Sequence, residues 1–162
     1  MAEINGFSQT RFIESLGWVF EHSPWVAERA WHDRPFASLA QLAERMNAHV
    51  AAASVEEQLA LLRAHPDLGT RAKITPSSAG EQAGAGLDRL TVSEHATLLA
   101  LNTAYREKFG FPFLYAVKGS DKFAILEALE RRLGADQAIE FQEALTQVSR
   151  IARFRLETVV DH

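Results

Sequence analysis

His65 follows a helix-like run, "SVEEQLALLR" at 54–63, and precedes a proline, an aspartate and a glycine in "HPDLG" at 65–69. An imidazole titrates at about pH 6.5, so it can give or take a proton near neutrality. The carbonyls at a helix end raise its proton affinity and burial lowers it. The structural alternative is a histidine that hydrogen-bonds the last helical turn, with Pro66 as the stop and Asp67 capping the next stretch of chain. The other histidines, at 22, 32, 49, 95 and 162, show no H-x-x-x-H pairing, so no metal site is expected.

Three further stretches carry usable chemistry. In "SAGEQ", Ser78 and Glu81 have S-x-x-E spacing, which reads as a capping box. The functional alternative to that capping box is a glycine-rich helix start, where free N–H groups and bare glycines admit a ligand and Ser78, Glu81 and Gln82 surround it. A carboxylate there could accept hydrogen bonds from a urea-like group or orient a proton donor. In the final helix, Phe141, Leu145, Val148, Ala152, Arg155 and Val159 are spaced 4, 3, 4, 3, 4, placing Arg155 on the stripe that faces the core. Arg150 and Arg153 group instead with Glu143, Gln147 and Glu157 on the polar side. A core-facing guanidinium needs a protein carboxylate such as Glu81, an outward-reaching stem, or an anionic ligand. Finally, "FPFLYAV" at 111–117 has backbone donors and acceptors that no helix consumes; water, neighbouring chain or a planar, heteroatom-rich ligand must pair them.

The elements that position these residues are helices. Apolar residues recur at helical spacing and strict alternation is scarce, so the sequence predicts an all-α, single-domain bundle over 1–162, with one extended, buried segment near 110–119. Ser8 caps a first helix carrying Phe12, Leu16, Val19 and Phe20, and Ser23-Pro24 ends it and opens a second. Ser38 caps a third; Ser54 with Glu57, and Thr91 with Glu94, have capping-box spacing. Pro66 closes the fourth helix, and Gly110 ends the one from Thr91. Ser120 opens the next, with Phe123, Leu126, Leu129 and Leu133, and Gly134 ends it. A last helix runs from about Asp136. The stretch 75–87, "TPSSAGEQAGAGL", resists this scheme: it holds three glycines, each costing a helix about 1 kcal/mol relative to alanine.

Composition bounds the function. The chain has 162 residues, enough for one real core, with 47% hydrophobic residues and a net charge of -4, so nothing in it attracts nucleic acid. It contains no cysteine, which excludes disulfides, thiolate metal sites and a cysteine nucleophile. "MAEINGFSQTRF" lacks a secretion pattern, no apolar run reaches membrane-spanning length, and "VVDH" lacks a peroxisomal ending; a cytoplasmic protein is expected, with no membrane partner.

In order along the chain, "EHSPWVAERA" at 21–30, "HPDLG", "SAGEQAGAGL" at 78–87, "FGFPFLYAVKG" at 109–119 and "RIARFRL" at 150–156 resemble the OHCU decarboxylase family. Its substrate is 2-oxo-4-hydroxy-4-carboxy-5-ureidoimidazoline (OHCU). The resemblance implies an all-helical, cofactor-free, usually dimeric enzyme of urate breakdown that makes (S)-allantoin. It implies His65 as the catalytic histidine and Glu81 as its carboxylate partner. Substrate contacts would come from Pro66, Ser78, Gln82, Arg155 and the backbone of Phe113, Leu114, Tyr115, Ala116 and Val117. Ser77 is an alternative to Ser78, and Tyr115 is bulkier than the aliphatic residue expected there.

Overall fold

The computed structural model describes residues 1–69 and 75–160. Lys73 and Ile74, which lead into "TPSSAG", and the terminal Asp161 and His162 lie outside the described residues. Among those described there is no strand, and nine α-helices follow in order: α1 (Ala2–Asn5), α2 (Gln9–Leu16), α3 (Trp25–Ala30), α4 (Leu39–Ala52), α5 (Val55–Arg63), α6 (Pro76–Gly84), α7 (Val92–Phe109), α8 (Lys122–Leu133) and α9 (Gln137–Val159). The all-α class expected from periodicity is the class observed. Among the described residues no helix is long and apolar enough to cross a membrane. The chain divides into two compact units, Met1–Ala64 with Val148–His162, and His65–Gln147.

In the first unit, hydroxyl caps start α2, α4 and α5 as the sequence indicates, while α3 follows Pro24 without a side-chain cap. Ser8 accepts from the Arg11 N–H, Ser38 from that of Gln41, and Ser54 forms a full capping box with Glu57. Phe12, Leu16, Val19 and Phe20 are all buried, but α2 stops at Leu16 and a 3-10 turn over Gly17–Val19 carries the chain on. Helix α5 ends at Arg63, two residues before His65. The Ala64 N–H still closes the last turn on the Ala60 carbonyl, and Pro66 then pushes His65 out of the helical region.

In the second unit, Tyr105 is the centre of an aromatic cluster. Its ring lies 4.5 Å from Phe109, 6.0 Å from Phe111 and 5.4 Å from Phe113. Phe141 meets Phe111 edge-on at 6.0 Å. The 110–119 segment is neither helix nor strand and is buried from Phe111 to Leu114 and at Val117, as expected, while Gly110, Lys118 and Gly119 are exposed. Gly110 ends α7 at φ +81°, in the left-handed region.

Three expectations are corrected here. Asp121, not Ser120, caps α8: its carboxylate accepts from the Ala124 N–H at 2.8 Å, while the Ser120 hydroxyl pairs with Tyr115 at 3.1 Å. Phe123 is 66% exposed, because the buried stripe of α8 runs through Ile125, Ala128, Leu129 and Arg132. Gln147, expected on the polar side of α9, is buried.

Candidate active site

The loop that opens with His65 is fastened at three successive residues. The Asp67 carboxylate pairs with Arg106 at 2.9 Å. The Leu68 carbonyl accepts from Asn102 Nδ2 at 2.9 Å, and the Gly69 N–H donates to Gln82 Oε1, also at 2.9 Å. Gly69 sits at φ +80°, and a Cβ there would lie 2.5 Å from Leu98 Cδ2, so both backbone conformation and close packing on α7 call for glycine. His65 is buried and Pro66 half-buried. Asp67 thus anchors the loop to α7 through its ion pair. Asn102, buried on α7, leaves Oδ1 without a partner among the described residues.

Helix α6 forms despite its glycines. Thr75 caps it by accepting from the Ser78 N–H at 3.2 Å, and Pro76 occupies the first turn with a preset φ. The capping-box reading of Ser78 and Glu81 is therefore set aside: Ser78 lies inside the helix. Ser78, Glu81 and Gln82, at i, i+3 and i+4, share one face. Ser78 and Gln82 are buried, Glu81 and Ser77 half-buried. Through Gln82 this face meets the loop that begins at His65, so the second unit brings "HPDLG" and "SAGEQ" together.

The 113–117 segment is held at two of its backbone groups. Arg132 Nη1 donates to the Leu114 carbonyl at 2.7 Å, and the Ala116 N–H donates to Gln147 Oε1 at 2.9 Å. The Arg132 guanidinium stacks over the Phe113 ring at 4.5 Å. Its Nε donates to Glu140 Oε1 at 2.7 Å, and Nη2 approaches the same oxygen to 2.5 Å off hydrogen-bonding angle, as an ion-pair contact. The Tyr105 hydroxyl also donates to Glu140. Burial, and then the adjacent carboxylate, push the Tyr105 phenol far above its ordinary value, so it stays a donor. Gln147 is itself held by its amide nitrogen on Glu143 at 2.8 Å. The Tyr115 ring stacks on Phe113 at 6.0 Å and its hydroxyl meets Ser120, which accounts for the bulk at this position.

Sequence reasoning missed Arg132, Glu140, Tyr105 and Gln147. The signal existed: buried polar residues recur with the apolar ones on α8 and α9, at Arg132, Glu140 and Gln147, at helical spacing.

Arg155 belongs to the first unit and is buried, as its stripe predicts. Its carboxylate neighbour is Glu21, at 2.8 Å, and Nη1 donates to the carbonyl of Trp18 at 3.3 Å. Among the described residues no group of three or more His, Asp or Glu could hold a metal ion.

The comparisons with known proteins bear on the whole chain. The family model described as OHCU decarboxylase matches residues 5–157. A 2-oxo-4-hydroxy-4-carboxy-5-ureidoimidazoline decarboxylase from Haloferax volcanii is 47% identical, covering 96% of this chain and 93% of that protein. The uric acid degradation bifunctional protein PucL of Bacillus subtilis is 44% identical over 99% of this chain, which spans only 32% of that longer protein. A crystal structure of (S)-allantoin synthase matches with a TM-score of 0.82 at 34% identity, over 99% of this chain and 54% of that one. By a match that runs nearly from end to end and takes in every motif of the site, this chain belongs to the OHCU decarboxylase family.

Proposed function

We infer that this protein decarboxylates OHCU to (S)-allantoin in urate degradation, without a cofactor, and that it does so with stereoselective protonation. The observation that carries the reading is the Gly69 to Gln82 hydrogen bond, which fastens the His65 loop to the helix face bearing Ser78 and Glu81. The carbon that loses CO2 adjoins a ring C=N bond. Its electron pair can flow into that imine as the C–C bond breaks, giving an enol-like intermediate, so no external electron sink is required. What remains for the protein is orientation and one proton delivered to one face of the ureido carbon.

His65, oriented by Glu81, handles the proton. Pro66, Ser78 and Gln82, with the peptide groups from Phe113 to Val117, grip the ring and ureido groups, and Arg155 fixes a polar or anionic part of the substrate. Half-buried Ser77 remains the alternative to Ser78. For Arg155 a second reading has an observation behind it: the ion pair with Glu21 gives it a structural partner. The family match from 5 to 157 supports treating the chain as one catalytic domain. A homodimer in the cytoplasm completes the proposal.

The test follows the ultraviolet decay of freshly generated OHCU, and the circular dichroism of the allantoin formed, with the protein and with His65→Asn. The protein accelerates the decay and gives (S)-allantoin; the variant is slower by about 100-fold or more, in the range of lost acid–base catalysis, and gives racemic product. No acceleration by the parent protein would leave a helical binding module as the reading. A variant with parental rate and stereochemistry would remove His65 from the chemistry.

A further inference from the structure

Ion pairs are costly to bury. Replacing one by apolar residues of similar volume is often neutral or stabilising, so a pair such as Arg132 and Glu140, with side chains 9% and 1% exposed, calls for an explanation other than stability. The explanation lies in what Arg132 touches besides Glu140. Its remaining nitrogen holds the Leu114 carbonyl, and its face holds the Phe113 ring, so one guanidinium fixes two adjacent residues of the 113–117 segment. Glu140 and the Tyr105 hydroxyl fix the guanidinium in turn.

The peptide planes carry the consequence across the segment. The peptide bonds around Tyr115 are trans, and in a trans peptide the C=O and N–H point in opposite directions. With the Leu114 carbonyl turned onto Arg132, the N–H of Tyr115 points away from it. With the Ala116 N–H turned onto Gln147, the carbonyl of Tyr115 points away from Gln147. No described residue takes either the N–H or the C=O of Tyr115. The segment therefore has a held edge, Leu114 and Ala116, and an edge offering one donor beside one acceptor. That pair complements a ligand that presents C=O next to N–H, as a ureido group or a ring amide does.

We propose that Arg132, held by Glu140 and Tyr105, is a positioning residue for the decarboxylation, and that with Gln147 it orients the Tyr115 peptide groups that read the amide edge of the substrate. This rests on the functional reading above.

The experiment measures kcat and KM for OHCU, and the dissociation constant of (S)-allantoin, alongside thermal melts, for the parent and Arg132→Met. Loss of an oriented grip raises KM and the allantoin dissociation constant by about tenfold or more, with kcat changed much less and the melt still cooperative. Arg132→Lys separates positioning from charge. Lysine can pair with Glu140 but lacks the fork that reaches Leu114 at the same time, so KM stays as high as in the methionine variant. Should either variant fail to fold, Tyr105→Phe and Gln147→Met each release one tie, and each raises KM by a smaller factor.

Folded variants with parental KM and allantoin affinity would overturn the proposal, as would full rescue by lysine. A parent protein without OHCU turnover would sink the functional reading and this inference with it. An active parent with unaffected variants would sink this inference alone.

Discussion

Arg155 and Glu21 lie 2.8 Å apart with side chains only 4% and 1% exposed, although 134 positions separate them in the sequence. A buried pair is strongly coupled: removing one partner leaves the other charged and desolvated, at about 3–5 kcal/mol, whereas replacing both is far milder. Glu21→Leu should therefore destabilise the protein by about that amount in urea melts, and Glu21→Leu with Arg155→Met should recover most of it. If Arg155 contacts substrate, the stable double variant still has a raised KM. A double variant with parental kinetics would make the arginine purely structural.

Glu81 is half-buried on α6, on the face that also carries Gln82. If it orients His65, Glu81→Gln keeps shape and hydrogen bonding but withdraws the negative charge that stabilises a protonated imidazole. The expected result is a kcat lower by about 100-fold, KM within a few-fold of parent, and partial loss of (S) selectivity. Rate measurements with circular dichroism of the product check it; parental kcat would separate Glu81 from the histidine.

The sequence made the hydroxyl caps of α2, α4, α5 and α7 readable because an N-cap depends on residues within one turn of one another. Arg155 was readable for a similar reason, since a stripe on one long helix declares which face is buried. Arg132 obeys the same logic but was hidden. Phe123 and Leu126 draw the stripe of α8 to one side, whereas Phe123 faces solvent and Ile125 lies at the centre of the buried face. Glu140 and Gln147 were obscured by the habit of reading polar residues as solvated. The partner choices, Glu21 for Arg155 and Gln82 for Gly69, depend on which segments meet in space, and no spacing rule contains that information. The order of motifs supplied what spacing could not: His65, Ser78, Glu81 and 113–117 stood out from local chemistry, their roles came from resemblance, and the structure adds how the loop, the helix and the segment are each fastened.

Gly69 and Gly86 offer a controlled comparison. Both have positive φ, +80° and +82°, but a Cβ at Gly69 would meet Leu98 at 2.5 Å while one at Gly86 meets nothing within 4 Å. Gly86→Ala should carry the backbone strain alone, about 1 kcal/mol. Gly69→Ala adds the steric clash and should cost about 2–3 kcal/mol or more, with a lower kcat because the His65 loop is displaced. Urea melts and OHCU turnover on both variants test this; equal costs would show that Leu98 yields without penalty.

Asp33 gives the pH dependence a defined sign. Burial acts to raise its pKa, but hydrogen bonds from Arg45 at 3.1 Å and His49 at 2.5 Å outweigh it and hold the carboxyl below the ordinary aspartate value. A folded-state pKa below the unfolded one means that the folded protein prefers the ionised form. The resulting stability is fully present above the unfolded value of about 3.9 and is lost as pH falls through the folded value. Glu57 and Glu94 are lowered in the same direction by Arg29 and Lys122, so the parent protein also loses stability in acid through groups that an Asp33 substitution leaves alone. The contribution of Asp33 is isolated by difference. Asp33→Asn should melt about 2–4 °C below the parent at pH 7, as expected for a partly exposed pair worth about 1 kcal/mol. The gap should close as the pH falls through the lowered folded-state value, below which both forms are neutral at this position. A gap that persists unchanged into acid would mean that asparagine disturbs the packing between α3 and α4 rather than removing a charge.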